Sequence, residues 1–361
     1  VQEFQLVTNG FAPEYGRSTG GLVTLVTKSG TNRLRGSARY LFRGNDLGSW
    51  ANADDGLGDP SNIDSWHQLG GSLGGPIVQD KQFFFLAVDV SRRSGPLVTR
   101  FSRDVSGVPA TEWGISDLGS LEGPSTQFQN LFSILGKWTI QAGENNRFSI
   151  RSFYTKNNTD GFTGGRGQKT IQAAFENTEK FENSGHNTIA TWNSTIGKGF
   201  NELKVMYSYQ IRPRQAKSDN PAIVITDTGE FGRRFYLPIE GDGEKFTIQN
   251  NFQYAFGDHD LKFGADLNAY ALLNNRFTGW SAGEYRFFTL EDFQAGQPFA
   301  YVQGFGLNGV PYAEAGTAKE RQRQTAFGIY AQDKWQVTPN LTLTYGLRWD
   351  ANWNPPARSP V

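Results

Sequence analysis

Residues 245–256, KFTIQNNFQYAF, contain the pattern that decides the fold. Phe246, Ile248, Phe252, Tyr254 and Phe256 alternate with Lys245, Thr247, Gln249, Asn251 and Gln253. Successive side chains of a β-strand point to opposite faces, so this period of two predicts a strand with one apolar face and one polar face. At about 3.3 Å per residue and a tilt of about 40°, ten such residues rise about 25 Å, the height of the apolar band of a membrane-spanning sheet.

The same alternation recurs along the chain. It is clearest in residues 203–212, 261–269 and 341–350, and weaker runs lie at 35–42, 66–78, 82–91, 131–140, 146–155, 187–196 and 324–337. A composition with 43 Gly and 28 Phe also favours twisted strands and turns over helices. The sequence therefore predicts about eleven strands, each about ten residues long.

The connections between these strands alternate in length. Short turns lie at 79–81, 142–145, 197–199, 257–259 and 338–340, and long polar segments lie at 43–65, 92–130, 156–186, 213–243 and 273–323. In a sheet of sequential antiparallel strands, this order places the short turns at one rim and the long loops at the other, as in outer-membrane barrels. Five long loops without regular structure would be unusual in a compact soluble domain. We therefore predict an all-β, antiparallel, up-and-down transmembrane β-barrel.

The two faces predict which side meets lipid. Lys, Asp, Asn, Gln and Arg on one face require a wet interior, so the apolar face should point outward. We expect Lys204, Lys262, Asp266 and Arg348 to face the lumen, and Leu203, Val205, Tyr207, Phe246, Ile248, Leu261, Phe263, Leu341, Leu343 and Tyr345 to face outward, with Leu343 near the middle of its strand. One strand is ambiguous, because Asp333 shares a face with Phe327, Ile329 and Trp335. A water-facing sheet packed on a core by its apolar face would show the same alternation.

Composition limits the functional classes. Lys plus Arg and Asp plus Glu are both 35, so no basic excess indicates a nucleic-acid partner. A Cys count of 0 removes disulfides, Cys-ligated zinc and thiol catalysis. No run approaches the roughly 18 apolar residues of a transmembrane helix. No signal peptide is visible, and a start at Val1 suggests an excerpt of a longer protein.

No catalytic, cofactor or metal site is predicted. The three histidines, His67, His186 and His259, do not stand at a metal-ligand spacing and are expected to be ordinary strand or loop residues. Two glycine-rich runs, 164–167 and 241–245, lack the Walker spacing and are expected to be flexible loops. No Ser-His-Asp arrangement or carboxylate pair can be nominated.

Two polar clusters in the long loops have a second interpretation. Asn52, Asp54, Asp55 and Asp59 could hold calcium through oxygen ligands, but they fail the EF-hand spacing, and a solvated turn is favoured. Arg92, Arg93, Arg100 and Arg103 could meet lipopolysaccharide or an anionic ligand, although pairing with acidic residues of the loops is favoured.

Residues 14–28, EYGRSTGGLVTLVTK, resemble the end of the plug domain in TonB-dependent outer-membrane receptors. In that family a Tyr-Gly, a Gly-Gly and a β-branched strand ending in Thr-Lys close the plug, and the matching residues here are Tyr15, Gly16, Gly20, Gly21, Thr27 and Lys28. Residues 29–32 continue the match in the manner of the Oar-like branch. Residues 70–85 look like the second and third barrel strands of that branch, and residues 330–350 are similar to a mid-barrel hairpin of the wider family.

The resemblance implies a plug folded inside a barrel of about twenty-two strands. Residues 1–30 would be the last hairpin of the plug, and residues 31–361 the N-terminal half of the barrel. Most of the plug, the TonB box and the remaining strands would be missing from this sequence. The implied location is the bacterial outer membrane, and the implied partners are membrane lipid, lipopolysaccharide, an unknown ligand and, through the missing upstream parts, a TonB-type periplasmic energy protein.

Three functions fit these features. The leading hypothesis is part of a TonB-dependent transporter that takes up a scarce ligand and is not an enzyme. The alternative is an Oar-like surface adhesin or secretion-linked barrel that acts through its long loops. A soluble β-rich carbohydrate-binding protein or hydrolase is the third, and a need for detergent during extraction would separate it from the other two.

The number of strands predicts an open sheet. Closing eleven strands on themselves would pair residues 35–42 with 341–350 in parallel, which conflicts with the antiparallel architecture. We therefore expect a curved half-barrel with two free edges, with residues 1–30 lying against its inner wall.

Overall fold

Alternating side chains produce long antiparallel strands that dominate the molecule. The structure, a computed structural model, describes residues 2–8, 12–16, 20–44, 65–163, 170–277, 279–306, 309–312 and 320–354. The strands are β1 (Glu3–Val7), β2 (Leu22–Val26), β3 (Arg35–Gly44), β4 (Ser65–Val78), β5 (Gln82–Thr99), β6 (Pro109–Ala110), β7 (Ile115–Asp117), β8 (Gly123–Ala142), β9 (Asn146–Phe162), β10 (Thr170–Ile171), β11 (Glu179–Ile196), β12 (Gly199–Ile211), β13 (Arg214–Ala216), β14 (Ala222–Ile225), β15 (Gly229–Phe231), β16 (Ile239–Phe256), β17 (His259–Phe277), β18 (Glu284–Phe287), β19 (Ala300–Val302), β20 (Glu320–Thr338) and β21 (Leu341–Trp353).

Helical structure among the described residues is confined to short pieces. The helix α1 (Leu290–Gln294) begins with a capping box between Thr289 and Asp292. In the part of the chain that the structure describes, 3₁₀ turns lie at Thr111–Trp113, Leu118–Leu121 and Phe175–Asn177. No helix among the described residues is long and apolar enough to cross a membrane.

Eleven of the 13 strands of the large sheet are antiparallel neighbours in the order of the chain, β3-β4-β5-β8-β9-β11-β12-β16-β17-β20-β21. The two short strands β10 and β13 join this sheet beside the main order, β10 parallel to β5 and β13 antiparallel to β11 and β16. Consecutive strands in such a sheet run in opposite directions, so the short turns after β4, β8, β11, β16 and β20 all lie at one rim. The predicted up-and-down order and the common rim are therefore confirmed. The two strands β1 and β2 form a separate antiparallel hairpin, with Glu3 opposite Val26 and Val7 opposite Leu22.

The sheet is open within the described residues. Its order begins at β3 and ends at β21, and these two strands are not paired with each other. Each of them therefore presents one row of backbone N–H and C=O groups without a partner strand among the described residues. This arrangement confirms the prediction of an open sheet.

The strand register separates a polar inner face from an apolar outer face. Lys204 lies opposite Gln249, Gln249 lies opposite Asp266, and the guanidinium of Arg348 on β21 reaches Asp266 at 2.5 Å, so these residues share one face. On the other face, Val205 lies opposite Ile248, and Ile248 opposite Leu267. Tyr207, Phe246 and Phe263 on this outer face are about two-fifths exposed, as expected for a surface that meets lipid. The predicted sidedness of these strands is confirmed.

Asp333 faces outward together with its apolar neighbours on β20. Its carboxylate accepts a hydrogen bond from the Tyr345 hydroxyl at 2.7 Å and lies 2.7 Å from Nδ1 of His259, and both residues are on the same outer face. Asp333 is only 7% exposed. His259 and Tyr345 on the adjacent strands thus give one carboxylate oxygen of Asp333 its hydrogen-bonding partners. These contacts explain how an acidic side chain can lie on the apolar face near the short-turn rim.

The strands are longer than the sequence predicts. They reach 20 residues in β8 and 19 residues in β17 and β20, because their loop-side ends continue into segments that the sequence assigns to irregular loops. These extensions carry polar residues on both faces, so the apolar alternation does not mark them. Residues 241–245 lie inside β16 and not in the flexible loop that the sequence predicts. Leu343 lies close to the short-turn end of β21 and not near its middle, because the midpoint of this strand is Leu347.

The long loops also contain regular structure, contrary to the sequence-based expectation. We use the name loop cap for the described parts of the connections 100–122, 163–178, 212–238 and 279–312. The loop cap contains a sheet with the order β15-β14-β18-β19. A buried apolar cluster holds these four connections together, formed by Phe101, Val105, Val108, Ala110, Leu118, Ala174, Ile223, Ile225, Phe231, Phe287, Leu290 and Phe293. The main buried core therefore lies in the loop cap and not under the sheet.

We predict that Leu347→Arg destabilises the protein by about 2–4 kcal/mol in a bilayer, because Leu347 is 83% exposed on the outer face at the middle of β21. Thr344→Arg, which places the same charge on the inner face of the same strand, should cost little. Unfolding titrations of the full-length protein in lipid vesicles compare the two variants. Equal losses of stability would contradict the sidedness.

Candidate functional site

The polar inner face is the wall of the candidate site, and a segment of the N-terminal region lies on it. The carboxylate of Glu14 forms an ion pair with the ammonium of Lys262 on β17. The guanidinium of Arg348 on β21 donates a hydrogen bond to the carbonyl oxygen of Pro13 at 3.4 Å. Residues 12–16 therefore dock on the inner wall formed by the last strands of the sheet.

Arg348 occupies a slot between two glycines. A Cβ at Gly16 would lie 2.1 Å from Nε of Arg348, and a Cβ at Gly328 would lie 2.1 Å from its Nη2. Beyond this slot, the guanidinium is held by Asp266 at 2.5 Å and by Asp350 at 2.8 Å. Because the guanidinium makes these charge-assisted contacts, a side chain at Gly16 could enter only by displacing it.

A second contact lies near the first strands of the sheet. A Cβ at Gly30 would lie 2.2 Å from the carbonyl oxygen of Phe84 and 2.7 Å from that of Gly75, so only glycine allows this approach of two backbones. Farther along, the side-chain oxygen of Asn32 accepts a hydrogen bond from the backbone N–H of Asp80 at 2.8 Å. Residues 12–16 and 30–32 thus contact opposite ends of the open sheet.

The predicted plug-end residues have different surroundings. Tyr15 and Gly16 belong to the docked turn, in which the N–H of Tyr15 donates to the carbonyl oxygen of Ala12 at 2.9 Å. A Cβ at Gly20 would meet nothing within 4 Å, and one at Gly21 would meet the carbonyl oxygen of Val7 at an ordinary 3.6 Å. Thr27 and Lys28 follow β2 and lead into the second contact. Of the three motif glycines, Gly16 is the one at which a Cβ atom would clash with a neighbouring side chain.

Three cations of the inner face on β8 and β9 have no acidic partner among the described residues. Lys137 on β8 lies opposite Arg151 on β9, and Arg147 lies four residues nearer the short-turn rim of β9. Arg147 and Arg348 both lie on the inner face, Arg147 at the short-turn end of β9 and Arg348 near the middle of β21. The inner wall therefore combines paired charges near the docked segment with an excess of positive charge on β8 and β9.

A buried ionic cluster fixes the loop cap to the sheet. Glu179, at the loop-side end of β11, is 0% exposed. Its carboxylate accepts two hydrogen bonds from Arg214 at 2.6 and 2.8 Å, one from Arg234 at 2.8 Å and one from the Tyr236 hydroxyl at 2.5 Å. Burial and the hydrogen bond to Glu179 raise the pKa of Tyr236 to about 12, so its hydroxyl remains a donor at neutral pH. Burial opposes the charge on Arg214, but its hydrogen bonds and attraction to Glu179 raise its pKa overall.

A second ionic contact joins three connections at the surface of the loop cap. Arg103 binds Asp227 and Glu291, each at 2.5 Å. The hydrogen bond from Arg103 holds the pKa of Glu291 below its usual value. Arg103 is thus paired with acidic residues of the loops, which is the interpretation that the sequence favours for Arg92, Arg93, Arg100 and Arg103. The guanidinium of Arg92 instead lies over the ring of Phe128, 5.8 Å from its centroid.

The remaining predicted clusters stay apart from these sites. His67, His186 and His259 lie in β4, β11 and β17. The candidate calcium ligands Asn52, Asp54, Asp55 and Asp59 and the glycine-rich run 164–167 lie outside the described residues. No group of three or more His, Cys, Asp or Glu side chains suited to a metal ion is found in the described part of the chain.

Sequence reasoning did not identify the Glu179 cluster. Its members are spread over residues 179, 214, 234 and 236, and no spacing between them signals a shared site. The nearest signal is the pair of arginines flanking Pro213, which could have marked an anchored segment inside a long loop.

Comparison with known proteins adds three findings. Residues 26–102 and 104–359 match a sequence family described as an outer membrane beta barrel domain. Over 89 residues, 24% of this chain and 8% of the other, the sequence is 35% identical to the TonB-dependent transporter Oar of Myxococcus xanthus. The fold is similar to that of the outer membrane transporter YddB of Escherichia coli, with a TM-score of 0.65 and 14% identity over 97% of this chain and 43% of that one.

A siderophore receptor shows the same fold. The ferric enterobactin receptor PfeA of Pseudomonas aeruginosa, in complex with enterobactin, has a TM-score of 0.62 and 12% identity, covering 97% of this chain and 44% of that one. The chain thus spans less than half of the length of each of these relatives. All of these relatives are transporters or receptors and not enzymes.

We predict that Gly16→Ala releases residues 12–16 from the inner wall, because its methyl group would meet the guanidinium of Arg348. Amide hydrogen exchange of residues 12–16 in the full-length protein should become faster. Gly20→Ala is the matched control, since a Cβ there meets nothing within 4 Å. Unchanged exchange in Gly16→Ala would show that the contact does not hold the segment.

We predict that Glu179→Ala detaches the segment 212–238 from the sheet, since it leaves Arg214 and Arg234 without their buried carboxylate. Removing one partner of such a cluster costs about 3–5 kcal/mol. Arg103→Ala, in the exposed contact, should have little effect. Limited proteolysis of the loop cap compares the two, and equal protection of 212–238 in both variants would refute the anchoring role.

Proposed function

The chain belongs to the outer membrane β-barrel domain family, and from this premise we propose that it forms part of a TonB-dependent transporter that takes up a scarce ligand. Its location is the bacterial outer membrane. The observation that carries the proposal is the docking of residues 12–16 on the polar inner face through Glu14, Lys262 and Arg348. A transporter with a gated lumen requires a segment that binds to the inner wall of its barrel and closes the passage.

We assign residues 1–30 to the end of a plug domain and residues 31–361 to the N-terminal half of the barrel. The separate β1–β2 hairpin and the start of the large sheet at Arg35 support this division. The motif residues Tyr15, Gly16, Gly20, Gly21, Thr27 and Lys28 would then close the plug. Further strands would complete the barrel, because an unpaired sheet edge in hydrocarbon costs several kcal/mol for each polar group.

The proposed partners follow from this placement. Lipid meets the outer face, a ligand enters from the loop cap, and a TonB-type protein in the periplasm supplies energy through the plug. Ferric siderophores are the first ligands to test, since PfeA is a ferric enterobactin receptor of the same fold. The unpaired cations Lys137, Arg147 and Arg151 on the inner wall would suit an anionic ligand or an acidic part of the plug.

A surface adhesin or secretion-linked barrel is the second candidate. The four connections of the loop cap share one buried core, which gives the protein a rigid outer surface. Exposed rings on that surface, such as the stacked pair Phe288 and Phe299 at 3.8 Å, are suited to contacts with another molecule. This candidate needs no energy from the periplasm.

We predict that cells producing the full-length protein accumulate a labelled ferric siderophore from a panel, and that loss of TonB or of the proton gradient abolishes accumulation. Lys262→Glu, which repels Glu14, should alter uptake without changing surface attachment. An adhesin instead predicts attachment that is independent of TonB. Attachment without accumulation of any panel member would favour the second candidate.

A further inference from the structure

The sheet of the loop cap has an edge strand with a neighbour on one side only. Its order is β15-β14-β18-β19, and no further strand pairs with β19 (Ala300–Val302) among the described residues. At the other end of this sheet, Glu230 of β15 forms a bridge with Ala173, which covers part of that edge. The strand β19 belongs neither to the Glu179 cluster nor to the docked N-terminal segment, so it has no role in the sites described above.

The hydrogen bonds of β18 show in which direction its backbone groups point. The N–H of Thr226, just after β14, donates to the carbonyl oxygen of Phe287 at 3.0 Å, so Phe287 points its backbone groups toward β14. Alternate residues of a strand point these groups to opposite sides, so Arg286 and Glu284 point theirs toward β19. The N–H of Phe299, just before β19, accordingly donates to the carbonyl oxygen of Arg286 at 2.9 Å.

Tyr301, at the centre of β19, points its backbone groups away from the sheet. The register places Val302 opposite Glu284 and Tyr301 opposite Tyr285. Because Glu284 faces β19, it forms the hydrogen-bonded pair with Val302, and the neighbouring pair of Tyr301 and Tyr285 is the non-hydrogen-bonded one. In the part of the chain that the structure describes, Tyr301 therefore offers a backbone N–H and a C=O at a free edge.

The apolar face of this sheet continues as far as the free edge. The register places Phe231, Ile223, Tyr285 and Tyr301 side by side on one face, across all four strands. Phe231 and Ile223 lie in the buried core of the loop cap, whereas Tyr301 is 51% exposed. The ring of Tyr301 packs on that of Tyr285, with centroids 4.6 Å apart, and its outer side has no covering strand among the described residues.

Two further rings extend this exposed apolar surface. Phe299, two residues before Tyr301, stacks on Phe288 with ring centroids 3.8 Å apart, and these side chains are 46% and 59% exposed. The opposite face of β19 is different, because it carries the small side chain of Ala300, whose partner Arg286 forms an ion pair with Glu284 at 2.6 Å. The edge thus has an aromatic side and a polar side.

An extended polypeptide fits this combination. The N–H and C=O of a strand residue match the spacing of the same groups in another extended chain, and the side chains of that chain alternate between the two faces. Apolar side chains at every second position would cover Tyr301 and Phe299, and polar side chains between them would lie on the side of Ala300. A compact molecule that used only the rings would leave the backbone groups of Tyr301 without partners.

We propose that β19 is a docking edge for an extended segment of another polypeptide, which joins the sheet of the loop cap as a fifth strand and carries apolar side chains at alternate positions. The backbone of Tyr301 supplies the hydrogen bonds, and Tyr301 and Phe299 select the apolar side chains. This inference goes beyond the proposed function, because an added strand on the loop cap requires neither transport nor a periplasmic partner.

The test uses the full-length protein in detergent and a peptide of about ten residues in which Val and Thr alternate. Binding should slow the amide hydrogen exchange of Tyr301, because its N–H gains a partner. Exchange of Val302 should not change, since its N–H already bonds to β18. The matched control is the same peptide with N-methyl groups on alternate residues, which keeps every side chain but removes the donors of one edge, and it should not bind.

Variants of the edge give a second measurement. Tyr301→Pro removes the outward N–H and the ring without removing a hydrogen bond to β18, and it should weaken binding of the Val-Thr peptide about tenfold or more. Tyr301→Phe keeps the backbone and the ring and should retain binding. Phe305→Ala is the matched control, because it removes a ring of the same connection that is 52% exposed and lies outside β19.

Several results would overturn the proposal. Equal binding of the N-methylated peptide would show an apolar surface and not an added strand. Slow exchange of Tyr301 before any peptide is added would show that another part of this chain covers the edge. Equal weakening in Tyr301→Pro and Phe305→Ala would remove β19 as the site. Siderophore accumulation is the separate readout, since Tyr301→Pro should keep it, and peptide binding without accumulation contradicts only the proposed function.

Discussion

Backbone hydrogen bonding without water is the constraint on which this structure depends. Within hydrocarbon, each N–H and C=O group of a strand must pair with a neighbouring strand, and sequential antiparallel strands achieve this with short turns at one rim. The pairing then divides every strand into an outer side that meets lipid and an inner side that meets water. The docked segment at Glu14 lies on the inner side, and the ionic cluster at Glu179 lies at the loop-side end of β11, where the strands leave the membrane.

Most of the membrane sheet could be predicted from the sequence, because lipid and water act on alternate residues and leave a period of two. The eleven strands, their order and their short turns follow from that pattern. Where water contacts both faces the pattern disappears, so the sequence predicts loops at the loop-side ends of β8, β16 and β17, including a flexible segment at residues 241–245, where the structure has strands. Asp333 could be placed only by knowing that His259 and Tyr345 are its cross-strand partners.

The site could be predicted only in part. The motif around Tyr15 and Gly16 marks the docked turn, but its partner Lys262 lies 248 residues from Glu14, and one sequence contains no signal for such a pairing. The sequence does not predict the loop cap for the same reason, since its apolar core combines residues from four connections that are far apart in the chain. The sequences of those loops show no hydrophobic period that would predict strands. Their order depends on contacts between the loops, among them the ion pairs of Arg103 and Glu179.

The central claim is that the two faces of the sheet meet different solvents, and a quenching scan along β17 tests it most directly. Single labels at residues 261–268 of the full-length protein in lipid vesicles would be exposed in turn to a lipid-soluble and a water-soluble quencher. The account predicts that labels at Leu261, Phe263, Ala265 and Leu267 respond to the lipid-soluble quencher, and that labels at Lys262, Gly264, Asp266 and Asn268 respond to the water-soluble quencher or are shielded. Equal access of the water-soluble quencher to both sets would contradict a membrane-spanning sheet.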